Sequence, residues 1–414
     1  MDFGADGGRA MRYAAVTDRL AGLGGAKWTV HFRAREMARA GRDVILLTIG
    51  EPDEPAPEAL CGAAAAGLRA GRTGYSDGRG EPGLLAALSE RYTARLGRPV
   101  GPQNFLCFPG TQTALYAVLT GVAEAGCEVL VGDPMYATYE GAIRAGGATP
   151  VPVALRPEAG FRMQPADLAA GITPRARAVL LNSPHNPTGA VLGRAEMEGI
   201  LALADAHDLW VISDEVYEDL VYGPDPFLSP AALPGGAARV VVCSSISKSH
   251  AAAGFRSGWC MGSAAFCDRL LPLAETMLFG NQPFIADMTE TALRDPDMVA
   301  AGMRARLARR AGVLADRLDG VAGLRLHRPG AGMFALLQVS GCGQDGTAFA
   351  EGLLDAHGVA VMPGASFGEA LKGWVRISLT VEDTVLEAAA DRIAAHARSL
   401  SRAAAEMPAT AGGA

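Results

Sequence analysis

Three apolar runs of this chain end in polar residues that can do chemistry. Val240–Val242 leads into Cys-Ser-Ser-Ile-Ser-Lys-Ser-His, which sets Lys248 just past the run. Trp210–Ile212 leads into Ser-Asp-Glu-Val-Tyr, with Asp214 and Tyr217, and Val179–Leu181 leads into Asn-Ser-Pro-His-Asn-Pro-Thr-Gly, with Asn186. Ligands of doubly wound sheets bind at the carboxyl ends of the strands. A lysine amine, a carboxylate, a phenol and an amide are therefore expected on one rim. Taken singly, each has an ordinary role. An Asp after a strand caps a helix, Asn-Pro-Thr-Gly makes a turn, and a lone lysine is a solvated charge. Lysine is scarce, however: only Lys27, Lys248 and Lys372 occur, so 34 of the 37 basic side chains are arginine (37 − 3). That scarcity reads as the coding bias of a GC-rich genome. Of the three amines, only Lys248 has the strand-end setting.

The surrounding pattern supplies the elements that hold these residues. From about Pro57 to Asn281, β-type runs alternate with turns and helical periods: Val129–Val131, Val151–Val153, Ala178–Leu181, Leu209–Ile212 and Arg239–Cys243. Such alternation predicts a mostly parallel sheet with helices on both faces. Before it, a helix is expected over Trp28–Ala40, ended by Gly41, and then a strand over Val44–Ile49. From about Pro296 the chain reads as a helix, strands over Gly332–Val339, Val359–Met362 and Trp374–Leu379, and a helix from Val381. The expected domains are a segment 1–56 that packs with the small domain, a large domain 57–284, and an α+β domain 285–414. Residues 1–10 and the tail from about Ser401 are expected to be mobile.

Composition removes several function classes. Apolar residues make up 49% and charged residues 20%, enough for a large core. The net charge of −7 argues against a nucleic-acid binder, which needs a basic face. The seven cysteines contain no Cys-x-x-Cys pair, so they read as free thiols in a reducing compartment, with the cytoplasm as the default location. No apolar stretch is long enough for a membrane span. The seven histidines show no metal-ligand spacing, so no metal is expected.

In combination and in this order, the residues resemble the class I/II aminotransferases of fold type I, which use pyridoxal 5′-phosphate. The resemblance runs from Leu46-Leu-Thr-Ile-Gly-Glu-Pro-Asp to Val375-Arg-Ile-Ser. It implies an α/β fold with a mostly parallel, seven-stranded sheet in a large domain, plus a small α+β domain. It also implies a cofactor that alternates with pyridoxamine 5′-phosphate. Lys248 then supplies the primary amine for the Schiff base with the cofactor aldehyde. Asp214 pairs with the pyridine nitrogen, and Asn186 and Tyr217 bond the phenolic oxygen. The phosphate falls to Gly110, Thr111 and Gln112 at a helix start, with Ser245, Ser247 and Arg256. Tyr136 stacks on the ring. Tyr75 reaches the phosphate of a neighbouring subunit, which implies a homodimer with shared active sites, and Asn281 lies where the family also contributes across the interface. Arg376 binds the substrate α-carboxylate, and Gly50 lets the backbone close over the substrate.

The expected partners are an amino acid and a 2-oxo acid, exchanged in a ping-pong cycle. Aminotransferases selective for dicarboxylates carry a second arginine shortly before the Asn281 region. Ala274-Glu-Thr-Met-Leu-Phe-Gly has none and holds Glu275 instead, which argues against aspartate or glutamate as donor. Glu54 stands where relatives usually have an aromatic residue. It reads either as a partner for a cationic substrate or as a solvated loop residue. Lys27-Trp-Thr-Val-His-Phe-Arg-Ala and Asp133-Pro-Met-Tyr-Ala-Thr-Tyr-Glu resemble the arginine–pyruvate type within the family. This points to a guanidino donor, either arginine or a cyclic derivative such as the antibiotic precursor enduracididine, and to pyruvate as acceptor. Trp28 either stacks on the guanidinium or packs as core. The rival readings are a β-lyase, a decarboxylase or an arginine oxidase on the same fold, and a non-catalytic regulator that binds the cofactor.

Overall fold

The structure, a computed structural model, describes residues 11–406. Its centre is a seven-stranded sheet. In spatial order the strands are Phe105–Phe108, Gly258–Met261, Val240–Ser245, Trp210–Asp214, Ala176–Asn182, Glu128–Asp133 and Thr149–Ala154. All are mutually parallel except Gly258–Met261, which runs antiparallel to both neighbours. The central strands are Val-, Ile- and Leu-rich and buried on both faces, as a helix-covered parallel sheet requires. Their register aligns Asn182 with Asp214, and Asp214 with Cys243. The carboxyl ends of three strands therefore meet at one level.

The five runs read from the sequence are five of these strands: three are extended at both ends, and Leu209–Ile212 and Arg239–Cys243 each lose their first residue and gain two at the end. The other two, Phe105–Phe108 and Gly258–Met261, are four residues each. Runs that short carry no period that separates them from loop or helix.

A second core forms around a four-stranded antiparallel sheet of Met362–Pro363, Trp374–Ser378, Phe334–Gln338 and Arg325–His327. The helices Ala300–Leu318, Gly346–His357 and Asp383–Glu406 cover it. Val30, Ala34 and Leu47 of the N-terminal segment are buried in this core. The helix of that segment is Thr29–Arg39, preceded by a 3-10 turn over Gly25–Trp28. Of the strand expected over Val44–Ile49, only Ile45–Leu46 pairs, in parallel with Val359–Ala360.

Two boundaries differ from the sequence reading. The division at 284/285 cuts through the helix Pro283–Arg294. That helix packs on the helices Glu58–Arg69 and Pro82–Leu96, and its Ile285, Ala286 and Met288 belong to the first core. The hand-over to the second core follows Arg294. The last helix runs to Glu406, past the expected start of a mobile tail at Ser401. The expected mobility of residues 1–10 and 407–414 falls outside the described residues. Among those described, no helix is long and apolar enough to cross a membrane.

Candidate active site

The carboxyl ends of the parallel strands open into a cavity of about 230 Å³ at the seam between the two cores. The strand Val240–Ser245 delivers Ser245, Ser247 and Lys248 to it, and the strand Trp210–Asp214 delivers Asp214 and Tyr217. The Asn-Pro-Thr-Gly turn after Ala176–Asn182 delivers Asn186.

Lys248 is half-buried, and its Nζ donates to the Gly50 carbonyl at 2.8 Å. Burial draws its amine down to about 8, with the Glu51 charge opposing and the Arg376 and Arg256 guanidiniums adding to the fall. Such an amine is partly neutral near physiological pH, as a nucleophile must be. Asp214 is buried, and burial pushes its carboxyl up to about 6. Its Oδ2 accepts the Tyr139 hydroxyl at 2.6 Å, and its Oδ1 accepts the Val216 N–H at 3.2 Å. Burial also raises the Tyr217 and Tyr136 phenols, so both keep their protons.

The helix Thr111–Val122 starts at the cavity wall and aims its free N–H groups inward. Gly110 precedes it at φ 86°, and a Cβ there would lie 2.4 Å from Arg256 Nη2. Only glycine permits both that dihedral and that approach. Arg256 is held by the carbonyls of Ala253 at 2.7 Å and Pro109 at 3.4 Å. Thr111 Oγ1 is buried without a partner, next to Gln112, Ser245, Ser247 and Arg256.

The opposite wall comes from the N-terminal segment and the second core. Arg376 on Trp374–Ser378 is fully buried. Its Nη1 donates to Asn186 Oδ1 at 3.0 Å and its Nη2 to the Thr48 carbonyl at 2.5 Å. Its guanidinium carbon stands 3.8 Å from the Phe334 ring centre and 4.4 Å from that of Phe367. Burial draws it down to about 10, still charged at neutral pH. Trp28, Ile49 and Gly50 complete this wall. A Cβ on Gly50 would stand 2.2 Å from Phe334 Cζ, so the backbone here runs close against that ring.

Most of the residues singled out in the sequence meet in this one cavity: Trp28, Gly50, Thr111, Gln112, Tyr136, Asn186, Asp214, Tyr217, Ser245, Ser247, Lys248, Arg256 and Arg376. Gly110 lies directly behind it. Four others stand elsewhere. Glu54 is ion-paired with Arg306 and is not among the residues that line the cavity. Tyr75 is 88% exposed and stands edge-on to Phe279 at 5.2 Å. Asn281 is buried with its Oδ1 unpartnered, outside the cavity lining. Glu275 lies against Gly78.

The sequence reading missed Tyr139, Asn182, Phe334 and Leu115, which also line the cavity. Tyr139 sits three residues after Tyr136 but opens the helix that Tyr136 precedes, so no helical spacing in the sequence ties the two to one face. Phe334 gave no signal, because nothing in its apolar strand marks which face meets the site.

The donor set fits pyridoxal 5′-phosphate. A half-buried amine with lowered proton affinity and a buried carboxylate line one cavity, and a helix start with the orphaned Thr111 hydroxyl lies beside them.

Comparison with known proteins agrees. The family model for aminotransferase class I and II matches residues 42–393. The chain is 44% identical to arginine–pyruvate transaminase AruH of Pseudomonas aeruginosa over 390 residues, 94% of this chain and 99% of that protein. It is 35% identical to the aspartate/prephenate aminotransferase of Cereibacter sphaeroides over 89% of this chain and 95% of that one. Among solved structures, a double mutant of Thermus thermophilus aspartate aminotransferase superposes with a TM-score of 0.87 at 31% identity, covering 94% of this chain and 100% of that one.

Proposed function

This chain belongs to the class I and II aminotransferases and uses pyridoxal 5′-phosphate, and we propose that it moves the α-amino group of a guanidino-bearing amino acid to a 2-oxo acid such as pyruvate. The observation that carries the donor class is the 44% identity, over nearly the full length of both chains, to a relative named for arginine and pyruvate. The cavity supports it. Its cationic lining residues are Lys248, Arg256 and Arg376, each with an assigned partner, so no further described cation waits there for a second carboxylate. Trp28 offers a flat aromatic face on the donor side. Arginine and its cyclic derivative enduracididine both fit this chemistry.

When bound, the cofactor supplies an aldehyde for the amine and a ring that takes up the electrons of the donor Cα–H bond. The chain supplies the rest. Thr111, Ser245 and Arg256 would hold the phosphate, Tyr136 would cover the ring face, and Asn186 and Tyr217 would bond the ring oxygen. Asp214 would keep a proton on the ring nitrogen. Arg376 would clamp the donor carboxylate and fix Cα. Lys248, with an amine whose proton affinity is lowered by burial, would take the Cα proton. Running the sequence backwards with a 2-oxo acid completes the ping-pong cycle.

Tyr75 supports a homodimer with shared sites. A tyrosine 88% exposed beside a 63% exposed Phe279 presents apolar surface that a second copy would cover. The seven free thiols support a reducing compartment, the cytoplasm.

The test is a donor screen that follows cofactor absorbance with arginine, enduracididine, aspartate and aromatic amino acids. Guanidino donors are expected to react at the lowest concentration. A preference for aspartate overturns the donor class. Stoichiometric pyridoxamine 5′-phosphate, formed without carbon dioxide or peroxide, separates transamination from decarboxylase and oxidase chemistry, and the absence of a released side-chain fragment separates it from β-lyase chemistry.

A further inference from the structure

Asp214 has a difficult task for a carboxylate. It must stay ionised at the bottom of a cavity where burial favours the neutral form, and no cation is among the groups acting on it. Two donors oppose that burial. One is the backbone N–H of Val216 at 3.2 Å, and the other is the Tyr139 hydroxyl at 2.6 Å. Tyr139 is the only side chain that donates to this carboxylate among the described residues. It is 2% exposed, and burial together with the Asp214 charge raises its own phenol well above the ordinary value, so it keeps its proton and donates.

Its position is fixed from two sides. Its ring stands edge-on to Tyr136, centroids 5.5 Å apart and planes at 83°, with Tyr136 itself in the cavity wall. It also opens the helix Tyr139–Ala145, whose next residue, Glu140, is ion-paired with Lys27 at 3.2 Å on the N-terminal segment.

We propose that Tyr139 is a positioning residue that holds Asp214 ionised and in one orientation for the pyridine nitrogen. A short hydrogen bond to a buried charge is stronger than a neutral one and sets geometry as well as energy. Without it the Asp214 carboxyl rises further, and the neutral acid no longer favours a protonated ring.

The experiment measures binding to the cofactor-free protein, so it needs no amino donor and its outcome is separate from the donor assignment. Tyr139→Phe is expected to weaken pyridoxal 5′-phosphate binding about tenfold. It should also move the acid-side loss of affinity up by about one pH unit. Affinity for inorganic phosphate should stay unchanged, because Thr111, Ser245 and Arg256 are untouched. Tyr139→His, which restores a donor, is expected to recover most of the affinity and the pH profile. In an Asp214→Asn background, Tyr139→Phe is expected to change little, since the charge it serves is gone.

Three results each overturn the proposal: unchanged cofactor affinity and pH profile in Tyr139→Phe, an equal loss for phosphate, or an equal loss in the Asp214→Asn background. Should Tyr139→Phe fold poorly, the comparison of Tyr139→His with Tyr139→Leu carries the same test. Equal affinities in that pair also overturn it.

Discussion

The two walls of the cavity are built in different ways. The cofactor wall is local: Asn186, Asp214 and Lys248 lie just past three neighbouring parallel strands whose registers align, and Thr111 begins the helix after a fourth. The donor wall is assembled from remote segments. Arg376 reaches the Thr48 carbonyl across 328 positions, and Lys248 reaches Gly50 across 198. One wall is a property of a sheet. The other exists only when the N-terminal segment and the second core close on that sheet. A cofactor site of this kind can persist while the donor wall is rebuilt, which is how relatives named for arginine and for aspartate or prephenate share one fold.

Substitutions at four positions test this division, in falling order of expected effect. Lys248→Ala is expected to lower turnover by about a thousandfold or more and to remove the near-visible absorbance of the cofactor–lysine adduct. A second readout comes from the cofactor-free protein. The Lys248 amine is near 8 in the fold, below the ordinary 10.5 of the unfolded chain. Between those values the unfolded chain holds the proton and the folded one does not, so this group makes stability rise from pH 8 towards 10.5, by about 3 kcal/mol. Lys248→Met should flatten that rise in a denaturant titration. An unchanged pH dependence would mean that the amine is not desolvated as described.

Arg376→Ala is expected to raise the donor KM about 100-fold, the usual cost of truncating one side of a buried charge-assisted pair. Cofactor affinity should change little. A large loss of cofactor affinity would break the separation of the two walls, with Asn186, the partner of Arg376 Nη1, as the route.

Trp28→Ala is expected to raise KM about fivefold for guanidino donors and to leave alanine as donor unchanged. Equal effects on both would return Trp28 to the role of plain packing against the first core.

Glu54→Gln is expected to leave the donor preference unchanged within about twofold. The Arg306 pair is partly exposed, so its loss should cost less than about 1 kcal/mol in thermal stability. A shift in preference towards neutral donors would restore Glu54 as a reader of the substrate.

The legible parts of the chain were those where one residue type has one use. Lys248 stood out because amines are few, and Gly110 because its Pro-Gly-Thr-Gln-Thr turn before a helical run resembles the family's phosphate turn. The Glu54 partner was not legible because a carboxylate pairs with any cation within reach, and Arg306 lies 252 positions away. Asp53 is taken by Arg310 at 2.7 Å in the same manner. Tyr139 was passed over because a tyrosine in a helix reads as core, and only its 2.6 Å distance to Asp214 shows otherwise. The two missed strands were too short to show a period.

By itself the sequence indicated five of the seven strands of the large sheet and most of the residues that meet in the cavity at their carboxyl ends, because these depend on runs and turns within a few positions of each other. Only the tertiary structure decided which carboxylates were free, which hydroxyl serves Asp214, and where the first core ends. The reason is physical: a charge or hydroxyl is defined by what lies within about 3 Å of it, and that neighbour is chosen by the packing of segments hundreds of residues apart.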